Sequence, residues 1–183
     1  MKNQWIKILC FSLVIVLVIG MTISLGACGT KEDTSKVEYP LKLYFVSKDF
    51  VETGDESKDP LIEYDGKSVY CDKNTDDQYL NALTMLWQVP EDLKNAETEV
   101  TEKYGIHDVY LKDDVAYVDL SSKDLSGGSF QETLLISQIV LTLGKSFDEI
   151  KSVQFLVDGK VVESLMGHVD VTEPILVADY QSF

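Results

Sequence analysis

The sequence predicts an α+β fold in which two helices pack on one face of a mixed, mostly hairpin-linked β-sheet. Three observations lead there. Short alternating apolar segments are separated by turn dipeptides such as Asp65-Gly66 and Asp158-Gly159. Two longer stretches repeat apolar residues at helical spacing. The order of these pieces is strand, helix, hairpin, helix, hairpin, which sets helices among strands that pair locally.

Leu41–Val46 alternates loosely and reads as the first strand. Residues 47–60 are polar and acidic, contain Gly54 and Pro60, and read as a loop. Leu61–Tyr64 and Ser68–Cys71 read as two short extended segments around Asp65-Gly66. A helix is expected from Thr75, where Thr75 and Gln78 have capping-box spacing and Asp76 and Asp77 favour the positive end of the dipole. Leu80, Leu83 and Trp87 mark its inner face, and Pro90 stops it. A second short helical stretch fits Glu91–Glu97.

Ile106–Leu111 and Val115–Leu120 form the clearest hairpin, with Asp113-Asp114 at the turn. Ser129 and Glu132 have capping-box spacing at the start of a helix that is apolar on most sides. It is expected to end near Leu143, with Gly144 as the left-handed stop. Val153–Val157 and Val161–Glu163 flank Asp158-Gly159, a type I′ hairpin signal. The remainder is extended and is broken by Pro174.

The first 27 residues read as a lipoprotein signal peptide. Lys2 and Lys7 supply positive charge, Ile8–Ile23 is almost unbroken apolar sequence, and Leu25, Gly26 and Ala27 lead to Cys28. Small residues admit a signal peptidase, and a thiol can carry a diacylglyceryl group as a thioether. A spanning helix needs about 20 apolar residues, and this run is shorter and is broken by Gly20. Two acyl chains anchor stably where one does not. Cys28 is therefore the expected lipidation site, followed by a polar tether over 28–38 and one domain over 39–183. The expected location is the outer face of a bacterial cell membrane, with the membrane itself as one partner.

The chain has 31 acidic residues, 16 lysines, no arginine and a formal charge of −15. Cleavage before Cys28 removes two lysines and no acid, leaving 14 lysines against 31 acids, or −17. Such a surface repels phosphate backbones and excludes nucleic acid as a partner. It also repels anionic lipid headgroups. Cys10 leaves with the signal, so Cys71 is the one cysteine left to the domain core and has no intramolecular disulfide partner.

Residues for catalysis are sparse. His107 has no second ligand at metal-site spacing. His168 and Asp170 would point the same way along an extended segment and could pair, but no serine, cysteine or lysine partner is marked. A structural hydrogen bond explains the pair as well. No cofactor, metal or catalytic residue is expected.

The pattern as a whole resembles the GerMN (germane) domain of sporulation and spore-germination lipoproteins. The resemblance rests on Leu43-Tyr44-Phe45, on Ala82-Leu83 with Leu86, and on Val115-Ala116-Tyr117-Val118-Asp119-Leu120-Ser121. Ile139-Val140-Leu141-Thr142-Leu143, Val153 through Lys160, and Gly167-His168-Val169-Asp170 through Glu173-Pro174 continue it. Their order and spacing carry it, over nearly all of Tyr39–Pro174. Two departures stand out: Gln88-Val89-Pro90 replaces a glycine-proline after the first helix, and Asp114 replaces a turn glycine. The resemblance implies a non-enzymatic module that works by contact with other envelope proteins. It marks Asp119, Gly159, His168 and Asp170 as motif positions, each with an equally direct structural role. A lipoprotein that binds a wall fragment or small solute is the alternative, and its mark would be a deep pocket lined by tyrosine and tryptophan.

Overall fold

The structure, a computed structural model, describes residues 36–73 and 75–178. The signal peptide, Cys28 and most of the expected tether lie outside the described residues. The strands divide between two sheets. β1 (Lys36–Ser47) is the central strand of the first sheet, flanked by β2 (Leu61–Asp72) and β3 (Ala96–Glu97). The second sheet has the order β4 (Ile106–Lys112), β5 (Val115–Leu120), β6 (Ser152–Val157), β7 (Lys160–Val161), and β8 (Ile175–Leu176) also pairs with β6. β5 and β6 are parallel and the other pairs are antiparallel. The α+β class holds with mostly hairpin-linked strands as expected, the mixed pairing lying in the second of two sheets.

Helix α1 (Lys48–Thr53) and α2 (Asp77–Thr84) are short, and α3 (Ser129–Ser146) is long. α3 is the crossover between parallel β5 and β6. Its residues 134–143 are all buried, because the helix lies in a core shared by both sheets. Phe45 from β1, Leu83 from α2, Val118 from β5, Ile139 from α3 and Phe155 from β6 are fully enclosed there. Among the described residues, no helix is long and apolar enough to cross a membrane.

Several local expectations change. β1 starts at Lys36, so the last three residues of the expected tether are strand, paired with Tyr70, Cys71 and Asp72. Residues 47–60 hold α1, capped by the Ser47 hydroxyl at one end and by left-handed Gly54 (φ 61°) at the other. Asp65-Gly66 does not reverse the chain. β2 pairs with β1 on both sides of it, and the register slips by one residue opposite Lys42. Gly66, at φ 93°, permits this bulge.

The capping box at Thr75 does not form. α2 starts after Asp76, Gln78 is buried, and the Thr75 hydroxyl donates to the Asp72 carbonyl. The stretch 91–97 is a turn followed by β3, with no helix. α3 runs through Gly144 to Ser146. A Cβ on Gly144 would sit 2.3 Å from Val177 Cγ2, so this glycine serves close packing rather than helix termination.

A polar stripe on α3 finishes the first sheet. β1 meets β3 only at Val46 and Ser47, which leaves the backbone of Lys42 and Tyr44 without a strand on that side. Ser146 Oγ accepts from Lys42 N–H (2.9 Å) and donates to the Lys42 carbonyl (3.2 Å). Thr142 Oγ1 accepts from Tyr44 N–H (3.2 Å), and Gln138 Nε2 donates to the Tyr44 carbonyl (2.8 Å). Positions 138, 142 and 146 are four apart, so they line one helix face. The helix thus satisfies a strand edge that would otherwise be bare, part-buried at Tyr44 and exposed at Lys42.

Candidate functional site

The motif positions fall into two knots of hydrogen bonds. The first joins the end of β5 to the β6–β7 hairpin. Asp158 and Gly159 both have positive φ (48° and 77°), the geometry of the expected type I′ turn. Asp119 Oδ1 accepts from Gly159 N–H at 2.9 Å, so the two residues meet. Asp158 Oδ1 accepts from Ser122 N–H and lies 3.3 Å from His107 Nε2. Hydrogen bonds from Ser122, with a smaller contribution from His107, hold the Asp158 carboxyl below the usual carboxylate range.

The second knot is built on Glu132. Its carboxylate is fully buried. Oε1 accepts from Leu165 and Met166 N–H, both at 2.8 Å, and Oε2 accepts from His168 N–H at 2.8 Å. His168 Nδ1 lies 3.1 Å from the same Oε2, with its ring 41% exposed. Glu132 therefore does not close a capping box with Ser129. Gly128 is the N-cap, and its N–H donates to Gln131 Oε1. His168 pairs with Glu132 and not with Asp170. Asp170 Oδ1 accepts from Thr172 N–H and Oγ1, and these bonds hold its carboxyl below the usual range.

Sequence reasoning missed Glu132 because its partners are 33 to 36 residues away. One signal was present: a carboxylate two residues N-terminal to a buried run, on a helix that is apolar on most sides, must be compensated if the helix is enclosed. Cys71 is buried among apolar neighbours, and Asn81 Nδ2 donates to its Sγ at 3.1 Å. Tyr79 donates its hydroxyl to Glu149 at 2.8 Å, and burial first and this bond second raise its pKa.

Among the described residues, no cluster of three or more His, Cys, Asp or Glu side chains could hold a metal ion. A groove of about 770 Å³ runs between α1 and the first turn of α3. Phe50 and Phe130 stack in it with centroids 6.1 Å apart and planes 17° from parallel. Val51 and Pro60 add apolar surface, and Glu56 and Asp59 stand at its rim. Neither tyrosine nor tryptophan lines it, and it is open to solvent, unlike the deep pocket that a ligand-binding role called for.

Known proteins share this architecture. A candidate lipoprotein from Clostridium perfringens aligns with a TM-score of 0.52 and 18% identity, over 80% of this chain and 91% of that one. The first GerMN domain of the sporulation protein GerM from Bacillus subtilis aligns with a TM-score of 0.51 and 15% identity, over 75% of this chain and 96% of that one. The tandem GerMN domains of the same protein align at 0.49 with 20% identity, and this chain, 82% of which is aligned, covers 48% of their length. No curated protein sequence matches. At these identities the likeness is one of fold. Residues 42–163, which run from within β1 through β7 and include the Asp119–Gly159 knot and Glu132, match the family profile described as Germane, sporulation and spore germination, and the chain belongs to that family.

Proposed function

We propose that this protein is a membrane-tethered, extracytoplasmic contact module, not an enzyme, and that it acts on envelope proteins in sporulation, germination or envelope assembly. In this reading signal peptidase cuts after Leu25-Gly26-Ala27, and the diacylglyceryl group on Cys28 holds the domain at the outer face of the membrane. The observation that carries the reading is the use of the motif groups. Asp119, Asp170, His168 and Glu132 all bond to the chain's own backbone or to one another. Groups occupied in this way position a scaffold and are not left aimed at a substrate. The family membership and the candidate-lipoprotein neighbour support the same reading.

The test has two parts. Mass spectrometry of the chain isolated from membranes should find acyl mass on Cys28 and nothing upstream of it. Cys28→Ala should release a folded domain from the membrane and abolish function. Cross-linking in intact cells should trap envelope proteins. Recovery of an intact N-terminus would remove the anchor, and a domain always recovered free would remove the contact role.

A further inference from the structure

We propose that the outer face of the β4–β5 hairpin docks a second copy of this chain, the two packing face to face about a two-fold axis through the Tyr110–Tyr117 pair. The proposal goes beyond contact with envelope proteins and does not depend on it. Three paired rungs make up the face: Lys112 with Val115, Tyr110 with Tyr117, and Asp108 with Asp119. They lie on one side because they alternate along each strand with Val109, Ala116, Val118 and Leu120, which are buried in the core. The two tyrosine rings stack with centroids 5.0 Å apart and planes 4° from parallel. Among the described residues, no other ring and no cation lies against either.

The same face is covered on β6 and open on β4 and β5. Ser152 and Gln154 stand beside Val115 and Tyr117, and both are buried. Gln154 Nε2 donates to the Val171 carbonyl at 2.9 Å, so the segment after β7 lies over that strand. Tyr110, Val115, Tyr117 and Asp119 stay partly exposed, and Asp108 and Lys112 are exposed.

Charge commits this face to its own copy. Asp108 stands directly opposite Asp119, and like charges so placed weaken a strand pair. Lys112 lies two residues beyond Tyr110, as Asp108 lies two residues before it. Among the described residues, none of these three charges has an ion-pair partner. A basic segment would meet Lys112, and an acidic one would meet both aspartates. A second copy turned end for end sets each Lys112 over the Asp108–Asp119 rung of the other, with tyrosine pair against tyrosine pair. Two equal sets of charge pairs then flank an aromatic centre. At −15 overall the copies repel at a distance, and three rungs make a small interface, so the dimer is weak.

The test uses the full-length chain in detergent with a photo-cross-linking residue in place of Val115. Dimer yield should rise with protein concentration. Lys112→Asp alone and Asp108→Lys alone should each lower the yield about tenfold, because each brings like charges together at both ends. An equal mixture of the two variants should restore cross-linking as a heterodimer, since the exchanged charges then face each other. Both positions are exposed, so the reversals leave the fold intact, and amide exchange in β4 and β5 checks this. Lys112→Ala, which removes the charge without reversing it, should lower the yield by less. No dimer, a yield unmoved by the reversals, or folded variants that do not recover when mixed would overturn the proposal. Equal dimer yield from a cross-linker at Tyr70, exposed on the first sheet, would mark crowding in micelles and overturn it too. Capture of a different envelope protein from Val115 in intact cells, with no dimer, would assign the face to that protein and refute the proposal while leaving the contact module.

Discussion

Removing the Glu132 carboxylate should release the segment 163–170 from α3 and destabilise the whole domain. In Glu132→Ala, three backbone N–H groups that now donate at 2.8 Å lose their acceptor. A hydrogen bond to a charged group contributes about 1.5–3 kcal/mol, and a buried donor left unmet costs about 1–3 kcal/mol. Three such losses would exceed 4 kcal/mol if the site stayed closed. The segment can open, however, and exposed His168 and Gly167 let water reach at least part of it. We expect a net cost of about 3 kcal/mol, the lower end for breaking one side of a buried pair. For a domain of this size that corresponds to a fall in Tm of roughly 10 °C.

Urea titration and amide hydrogen exchange report the two effects separately. The amides of Leu165, Met166 and His168 should lose protection beyond the global loss. Glu132→Gln should fall between, since its Oε1 can still accept from Leu165 and Met166 but its amide nitrogen faces the His168 N–H as a second donor. His168→Ala, which removes an exposed ring, should cost under about 1 kcal/mol. A Glu132→Ala protein less than about 1 kcal/mol weaker, with the three amides as protected as before, would refute the reasoning.

Gly144→Ala should destabilise by about 1–2 kcal/mol, because overpacking against Val177 outweighs the roughly 1 kcal/mol that alanine gains in a helix; adding Val177→Ala should recover part of it in a double-mutant cycle, and a more stable single variant would contradict the packing argument. Asp119→Ala should cost about 1 kcal/mol and speed exchange at Gly159 ahead of the β5 amides, which uniform exchange across the hairpin would disprove. Asp158 and Asp170 have folded pKa values below their unfolded ones, so their contribution is present above the ordinary carboxylate pKa near about 4 and is lost as pH falls through the lowered values. Urea midpoints should therefore be flat from neutral pH to mild acid and then fall, and Asp158→Asn with Asp170→Asn should flatten that acid limb; an unchanged limb would assign the loss to other carboxylates.

What could be read before the structure was known was local. The β4–β5 and β6–β7 hairpins carry their turn chemistry and alternation within a dozen residues, and both form where they were expected. α1 was also written locally, in Ser47 and Gly54, but its acidic composition resembled a loop. The other differences depend on distant residues. Asp65-Gly66 is a turn signal that β1 overrides, since pairing continues on both sides of it. Gly144 looks like a helix stop until Val177, 33 positions later, is placed against it. Glu132 looks like half of a capping box until the backbone at 165–168 arrives. The same separation hid the candidate groove, whose two phenylalanines are 80 residues apart in the chain.

The α3 stripe has a mechanical consequence. Under the N-terminal anchoring proposed above, a pull from the membrane would reach β1 at Lys36, the first residue of that strand. Tension along that strand loads its ladder with β2 in shear, so the paired positions from Lys36 to Val46 resist together rather than opening one at a time. Most edge strands would be gripped on that side alone. Here Ser146, Thr142 and Gln138 hold the opposite edge at Lys42 and Tyr44, so the strand that bears the load is clamped from both sides. Resistance to force is set by the rate of unfolding, and a single-molecule pull from residue 36 should show Thr142→Val and Gln138→Ala lowering the rupture force by more than their equilibrium cost implies.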